Sequence, residues 1–308
     1  MATTASDMLK RMTDLEHQDV DKTFMGLLYG PNGTGKTTLA AWLAQYLRSA
    51  DGKIVYLDSA EGWVSLDATP TLKENVTRLG YREYSDMTAL AHFIQTKTKG
   101  FENVEVVIVD ELDSISDDVL TTVVREKHGT AAGAQLPDIE GKDYRPMQDL
   151  MALAISKFQK AGVHLILVAH DKGRADHRKV VVTGPALSPQ LKNKVAGLMH
   201  VVGSMTAEIK GTAAAPEYTR LIQALPTGLI EAKTRIGALR TKVKFTHEEF
   251  VDIVSDWVAP GGAMGLDLTQ PEVDIDESIP DEMPTDGIPV ADVTSDDDDD
   301  TPAYVEET

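Results

Sequence analysis

The sequence predicts an α/β fold on a mostly parallel, doubly wound sheet. Three observations lead there. Residues 104–109 (VEVVIV) and 164–169 (HLILVA) are short, nearly unbroken apolar runs, as expected of strands buried on both faces. Stretches of helical period separate such runs, which calls for right-handed crossovers. A glycine-rich turn at residues 30–37, GPNGTGKT, joins an apolar run to one of those stretches.

The elements follow in order. Residues 8–16 read as a short helix and 23–29 (TFMGLLY) as the first strand. After the turn, 37–48 is a helix with Leu39, Trp42, Leu43 and Tyr46 or Leu47 on its apolar side. KIVYL at 53–57 is a second strand and 86–97 a helix; the strand at 104–109 follows, then a helix over 147–159 and the strand at 164–169. Later elements are expected at 195–209, 218–224 and near 229–232, and His247 opens a helix, THEEFVDIVSDW, with a solvated start. Three regions result: an N-terminal helical extension at 1–20, a core at 21–259 and a disordered acidic tail at 260–308, with Ala259-Pro-Gly-Gly at the boundary.

Charge supports that division. The 308 residues carry 49 acidic and 30 basic side chains. Residues 261–308 hold 16 of the acids and no Lys or Arg, so the rest has a net charge of only −3. A tail so rich in Pro, Asp and Glu buries too little surface to offset its chain entropy. It acts as a solubiliser, or as a mimic of nucleic-acid charge that docks a partner. Apolar runs are too short to cross a bilayer, and residues 1–14 lack the apolar core of a secretory signal. The absence of cysteine excludes disulfides and thiolate chemistry. A cytoplasmic protein is expected, in the host cytoplasm if viral.

The turn fits G-x-x-x-x-G-K-[ST] without mismatch, between a strand and a helix as that motif requires. In Gly30, Pro31, Asn32, Gly33, Thr34, Gly35, Lys36, Thr37 and Thr38, backbone N–H groups would curl around phosphates at a helix N-terminus. Lys36 would reach the β- and γ-phosphates of a nucleotide, and Thr37 would ligate Mg²⁺. Asp110 ends the run VVIVD, where a carboxylate faces the nucleotide crevice and can hold Mg²⁺. Two glutamates compete to polarise an attacking water: Glu61 in LDSAEGW and Glu111 directly after Asp110. No paired-histidine metal motif, G-x-S-x-G elbow or Asn-Lys-x-Asp segment is present.

The order of phosphate loop, LDSAEG segment, strand ending VIVD and strand ending VAHDKGR, over about residues 20–240, resembles the RecA-like ATPases. Among them it is similar to the compact phage proteins that act in single-strand annealing and recombination. That resemblance implies a RecA-like P-loop NTPase core and favours Glu61 as the catalytic glutamate. It implies that His170 senses the γ-phosphate, and that the following basic loop, with Lys172, Arg174, His177, Arg178 and Lys179, binds single-stranded DNA. The segment 125–145 corresponds to a first DNA loop. Lys233 and Arg235 correspond to cations that reach a neighbouring subunit's nucleotide, implying a ring or filament of identical chains. The tail is similar to those by which single-stranded DNA-binding proteins recruit partners, so such a protein is an expected partner. The function implied is Mg²⁺-dependent ATP hydrolysis coupled to annealing or homologous recombination. The alternative is an ATP-switched replication accessory or a helicase-loader-like motor.

Overall fold

The computed structural model describes residues 23–259 except 60, 131–133, 176–180 and 213–214. The expected helix at 8–16, the acidic tail, His177, Arg178 and Lys179 lie outside the described residues.

In chain order the elements are β1 (Met25–Tyr29), α1 (Lys36–Leu47), β2 (Lys53–Asp58), β3 (Val76–Gly80), α2 (Tyr84–Gln95), β4 (Val104–Asp110), α3 (Leu112–His128), α4 (Tyr144–Ala161), β5 (His164–Ala169), β6 (Asp171–Ala175), β7 (Val181–Pro185), α5 (Pro189–Leu198), β8 (Val201–Thr212), β9 (Ala215–Gln223), β10 (Lys233–Thr234), β11 (Lys244–Thr246) and α6 (His247–Val258). The large sheet runs β11-β9-β8-β1-β5-β4-β2-β3, with β10 beside β8. From β8 to β3 every pairing is parallel. Beyond β8 the sheet turns antiparallel through β9 and β11.

Strand alternation divides the core between the two faces of this sheet. Met25, Leu27 and Tyr29 pack with residues of α2, α3, α4 and α5. Leu28, Ile54, Ile108 and Ile166 face the other way, against α1 and α6. All seven are fully buried, and each aliphatic side chain so buried contributes about 1.5–3 kcal/mol. The entry of β1 is held by two imidazoles: His164 Nδ1 accepts from the Phe24 N–H at 2.9 Å and His200 Nδ1 from the Met25 N–H at 3.0 Å. The mixed α/β architecture with its large, mostly parallel sheet is that of a P-loop NTPase.

Several expectations change. Residues 112–128 form a helix of 17 residues, so Arg125, Lys127 and His128 are its last turn rather than part of a DNA loop. Lys127 is bound to Glu140 and to Asp143, the latter at 2.7 Å, which takes up its charge. The segment after His170 is an antiparallel ribbon, β6 with β7, where a flexible loop was expected. Residues 195–209 are two elements, the end of α5 and the start of β8. In place of the element expected near 229–232, a two-residue strand forms at Lys233–Thr234, and Ile230 makes an isolated bridge to Thr183. His247 does open a helix, but burial by the core leaves it 7% exposed where a solvated start was expected.

Candidate functional site

The parallel strands end together, and their ends build the site. Tyr29, the last residue of β1, leads into the loop Gly30–Gly35, and α1 begins at Lys36. Gly35 sits at φ 84, a left-handed conformation that L side chains adopt only with strain and that turns the chain into the helix. Lys36 is buried, and its ammonium donates to the Gly30 carbonyl at 2.8 Å and the Pro31 carbonyl at 3.0 Å. Burial lowers the Lys36 pKa, while Asp110, Asp171, Asp113 and Glu111 pull it back up.

On β4, Val106, Ile108 and Asp110 alternate onto the α1 face. That spacing brings Asp110 to α1, where the Thr37 hydroxyl donates to its Oδ2 at 2.9 Å. The Tyr56 hydroxyl donates to the same oxygen, and the Glu111 N–H to Oδ1 at 3.0 Å. Burial nevertheless holds the Asp110 carboxyl above the usual range, with those hydrogen bonds opposing it. Gly62 is required here, because a Cβ on it would lie 2.4 Å from Asp110 Oδ2.

Thr37, Asp110, Glu111 and His170 line one cleft of about 390 Å³ with the phosphate loop. Glu111 is partly buried, accepts from the Ser114 hydroxyl at 3.2 Å, and has its pKa raised chiefly by burial. Glu61 is exposed and does not line that cleft, although its neighbour Gly62 does. Both glutamates have left-handed backbones, φ 62 at Glu61 and φ 58 at Glu111, each at about 1–2 kcal/mol of strain. Backbone strain of this kind concentrates where a side chain must be aimed.

His170 follows β5 and is clasped by Asp113 from the first turn of α3. Its N–H donates to Asp113 Oδ1 at 3.0 Å, and its Nδ1 lies 2.9 Å from Oδ2. With Nδ1–H given to Asp113, Nε2 is the ring nitrogen left for the cleft.

The remaining expected residues lie elsewhere. Lys172 and Arg174 on β6 line a second cavity of about 590 Å³, which Asp113 also lines. The Arg174 guanidinium donates to the Leu187 carbonyl. Lys233 donates to the Ala196 carbonyl and Arg235 to the Gly197 carbonyl at 2.7 Å, capping α5. Thr234 pairs with Val201, and Val201 with Gly26, so these cations sit at the entry end of β1, away from their own chain's phosphate loop.

Three contributors escaped sequence reasoning. Tyr56 reaches Asp110 only because β2 pairs with β4. Asp113 required recognition of α3. Arg220 on β9 lines the phosphate cleft, but no local pattern connects it to a loop 185 positions earlier.

Thr37 and Asp110 offer a hydroxyl and a carboxylate within hydrogen-bond reach, and no group of three or more His, Cys, Asp or Glu suited to a metal exists among the described residues. Such a pair fits Mg²⁺, which takes one or two protein oxygens and fills its shell with phosphate and water. Fold and site together define a P-loop ATP hydrolase, a class that binds its nucleotide typically with Mg²⁺. The AAA domain family matches residues 22–236, and the chain belongs to that family. No curated protein matches it. Among the described residues no helix is long and apolar enough to cross a membrane.

Proposed function

We propose that the protein is a Mg²⁺-dependent ATPase that binds single-stranded DNA and promotes annealing or homologous recombination as an oligomer. One observation carries this reading: Asp113, which lines the cavity of Lys172 and Arg174, is hydrogen-bonded to His170, which lines the nucleotide cleft. A change at His170 therefore acts on the carboxylate that faces the basic ribbon, linking phosphate state to a cationic, sequence-independent surface.

In this reading Lys36 and the loop N–H groups bind the β- and γ-phosphates, and Thr37 and Asp110 hold Mg²⁺, which neutralises charge on the transferring phosphoryl group. Glu111 takes the proton from the attacking water, because it lines the cleft and its raised pKa makes it a stronger base. Glu61 is the alternative. His170 reports the terminal phosphate through Asp113. Lys233 and Arg235 serve a neighbouring copy, and the acidic tail competes for the DNA surface or recruits a single-stranded DNA-binding protein.

The test is ATP turnover by wild type and Lys36→Ala, with and without single-stranded DNA, across protein concentration. Turnover that DNA stimulates cooperatively, and that Lys36→Ala abolishes, is expected. Flat turnover indifferent to DNA would overturn the recombination reading in favour of a nucleotide-switched replication accessory.

A further inference from the structure

Past the phosphate loop, β8 and β9 continue as a two-stranded ribbon, and one of its faces forms successive rungs. Met205 pairs with Ile222, Ala207 with Arg220, and Ile209 with Tyr218. Alternate residues share a face and paired residues lie on the same side. Met205 and Ile222 are fully buried in the core that contains α1, so the whole stripe lies on the α1 side of the sheet. On the next rung Arg220 lies over the loop: its Nε is 3.1 Å from where a Cβ on Gly35 would be. On the outer rung Ile209 is 66% and Tyr218 65% exposed.

The stripe thus leaves the core, passes a guanidinium at the phosphate loop and ends in an exposed aromatic opposite an aliphatic side chain. A nucleotide has the same order of parts: phosphates, sugar, base. The two-residue step from Arg220 to Tyr218 is about 6.8 Å along the strand, room for a ribose between them. Aromatic faces stack on bases without regard to identity, and a guanidinium pairs with phosphate oxygens in a forked geometry.

We infer that Tyr218 and Ile209 form the platform on which the base of the bound nucleotide stacks, and that Arg220 holds its phosphates from the same chain. This rests on ATP being bound at the Gly30–Thr37 loop. The 308-residue chain and its variants would be titrated with ATP and with inorganic tripolyphosphate, both with Mg²⁺, and sedimentation would record the oligomer at the same concentrations.

Tyr218→Ala should weaken ATP binding roughly 5- to 150-fold, the range that base–aromatic stacking implies, and leave tripolyphosphate affinity unchanged. Tyr218→Phe should keep ATP affinity, Ile209→Ser should lose part of it, and Arg220→Ala should weaken both ligands. Unchanged ATP affinity in Tyr218→Ala overturns the inference. So does an equal loss for tripolyphosphate, or a loss that merely tracks dissociation of an oligomer, which would make the platform a contact between copies. Wild type that binds tripolyphosphate as tightly as ATP overturns the base platform but not the loop, whereas failure to bind either overturns both.

Discussion

At Asp110 the protein keeps a carboxylate 2% exposed, raised in pKa by that burial, and surrounds it with donors from Tyr56, Thr37 and the Glu111 backbone. A buried, half-compensated charge of this kind is unfavourable for folding and suited to a cation. Next to it, Glu111 and Glu61 each hold a left-handed backbone, and the two separate in a single assay. Glu111→Gln should lower kcat by at least 100-fold with ATP affinity retained, while Glu61→Gln should lower it less than tenfold, consistent with the usual size of general-base catalysis. Single-turnover hydrolysis with a parallel binding measurement checks both, and a reversed ranking would transfer the role to Glu61. The phosphate loop was legible because all its residues are contiguous and carry a fixed spacing. Arg220 was not, since only the pairing of β9 with β8 brings it to Gly35.

Elements became legible in proportion to how apolar they are. Strands β1, β4 and β5 are fully or almost fully buried and stood out as apolar runs. Helix α3 was hidden because its buried Ile115, Val119 and Val124 are diluted by acids and threonines, and β6 because its basic residues read as a loop. Helix α6 carries a pH-dependent feature. Thr246 caps it, accepting from the Glu249 N–H at 3.3 Å while Glu249 accepts from the Thr246 N–H at 2.8 Å. His247 begins it in the core, where burial, with some repulsion from Arg220, lowers its pKa from 6.5 to about 4. The folded state favours the neutral ring, so this contribution to stability is complete above pH about 6.5 and is lost as pH falls toward about 4. Thermal unfolding of wild type and His247→Leu at pH 7.5, 5.5 and 4.5 should show the melting temperature of the wild type dropping relative to the variant toward acid. A constant difference across pH would refute the burial argument.

On the scale of the molecule, most of the net charge of −19 comes from residues 261–308, and the rest of the chain is close to neutral. If the tail competes with DNA for the ribbon that bears Lys172 and Arg174, ending the chain at residue 259 should tighten single-stranded DNA binding. The gain should be largest at about 10 mM salt, where the Debye length is about 30 Å, and shrink near 150 mM, where it is about 8 Å. Fluorescence anisotropy with a labelled oligonucleotide measures this, and equal affinities at low salt would make the tail a solubiliser alone.

The placement of β1 between β5 and β8 also sets the timing of maturation. The loop that cradles phosphate lies near the start of the chain, yet one flank of its strand is β8 and the wall over Gly35 comes from β9. During synthesis the motif emerges early and remains half-built until roughly two hundred further residues have left the ribosome, a long-range closure of the sort that slows folding. A nascent or truncated chain ending before β8 would carry the whole loop motif with neither that flank nor that wall.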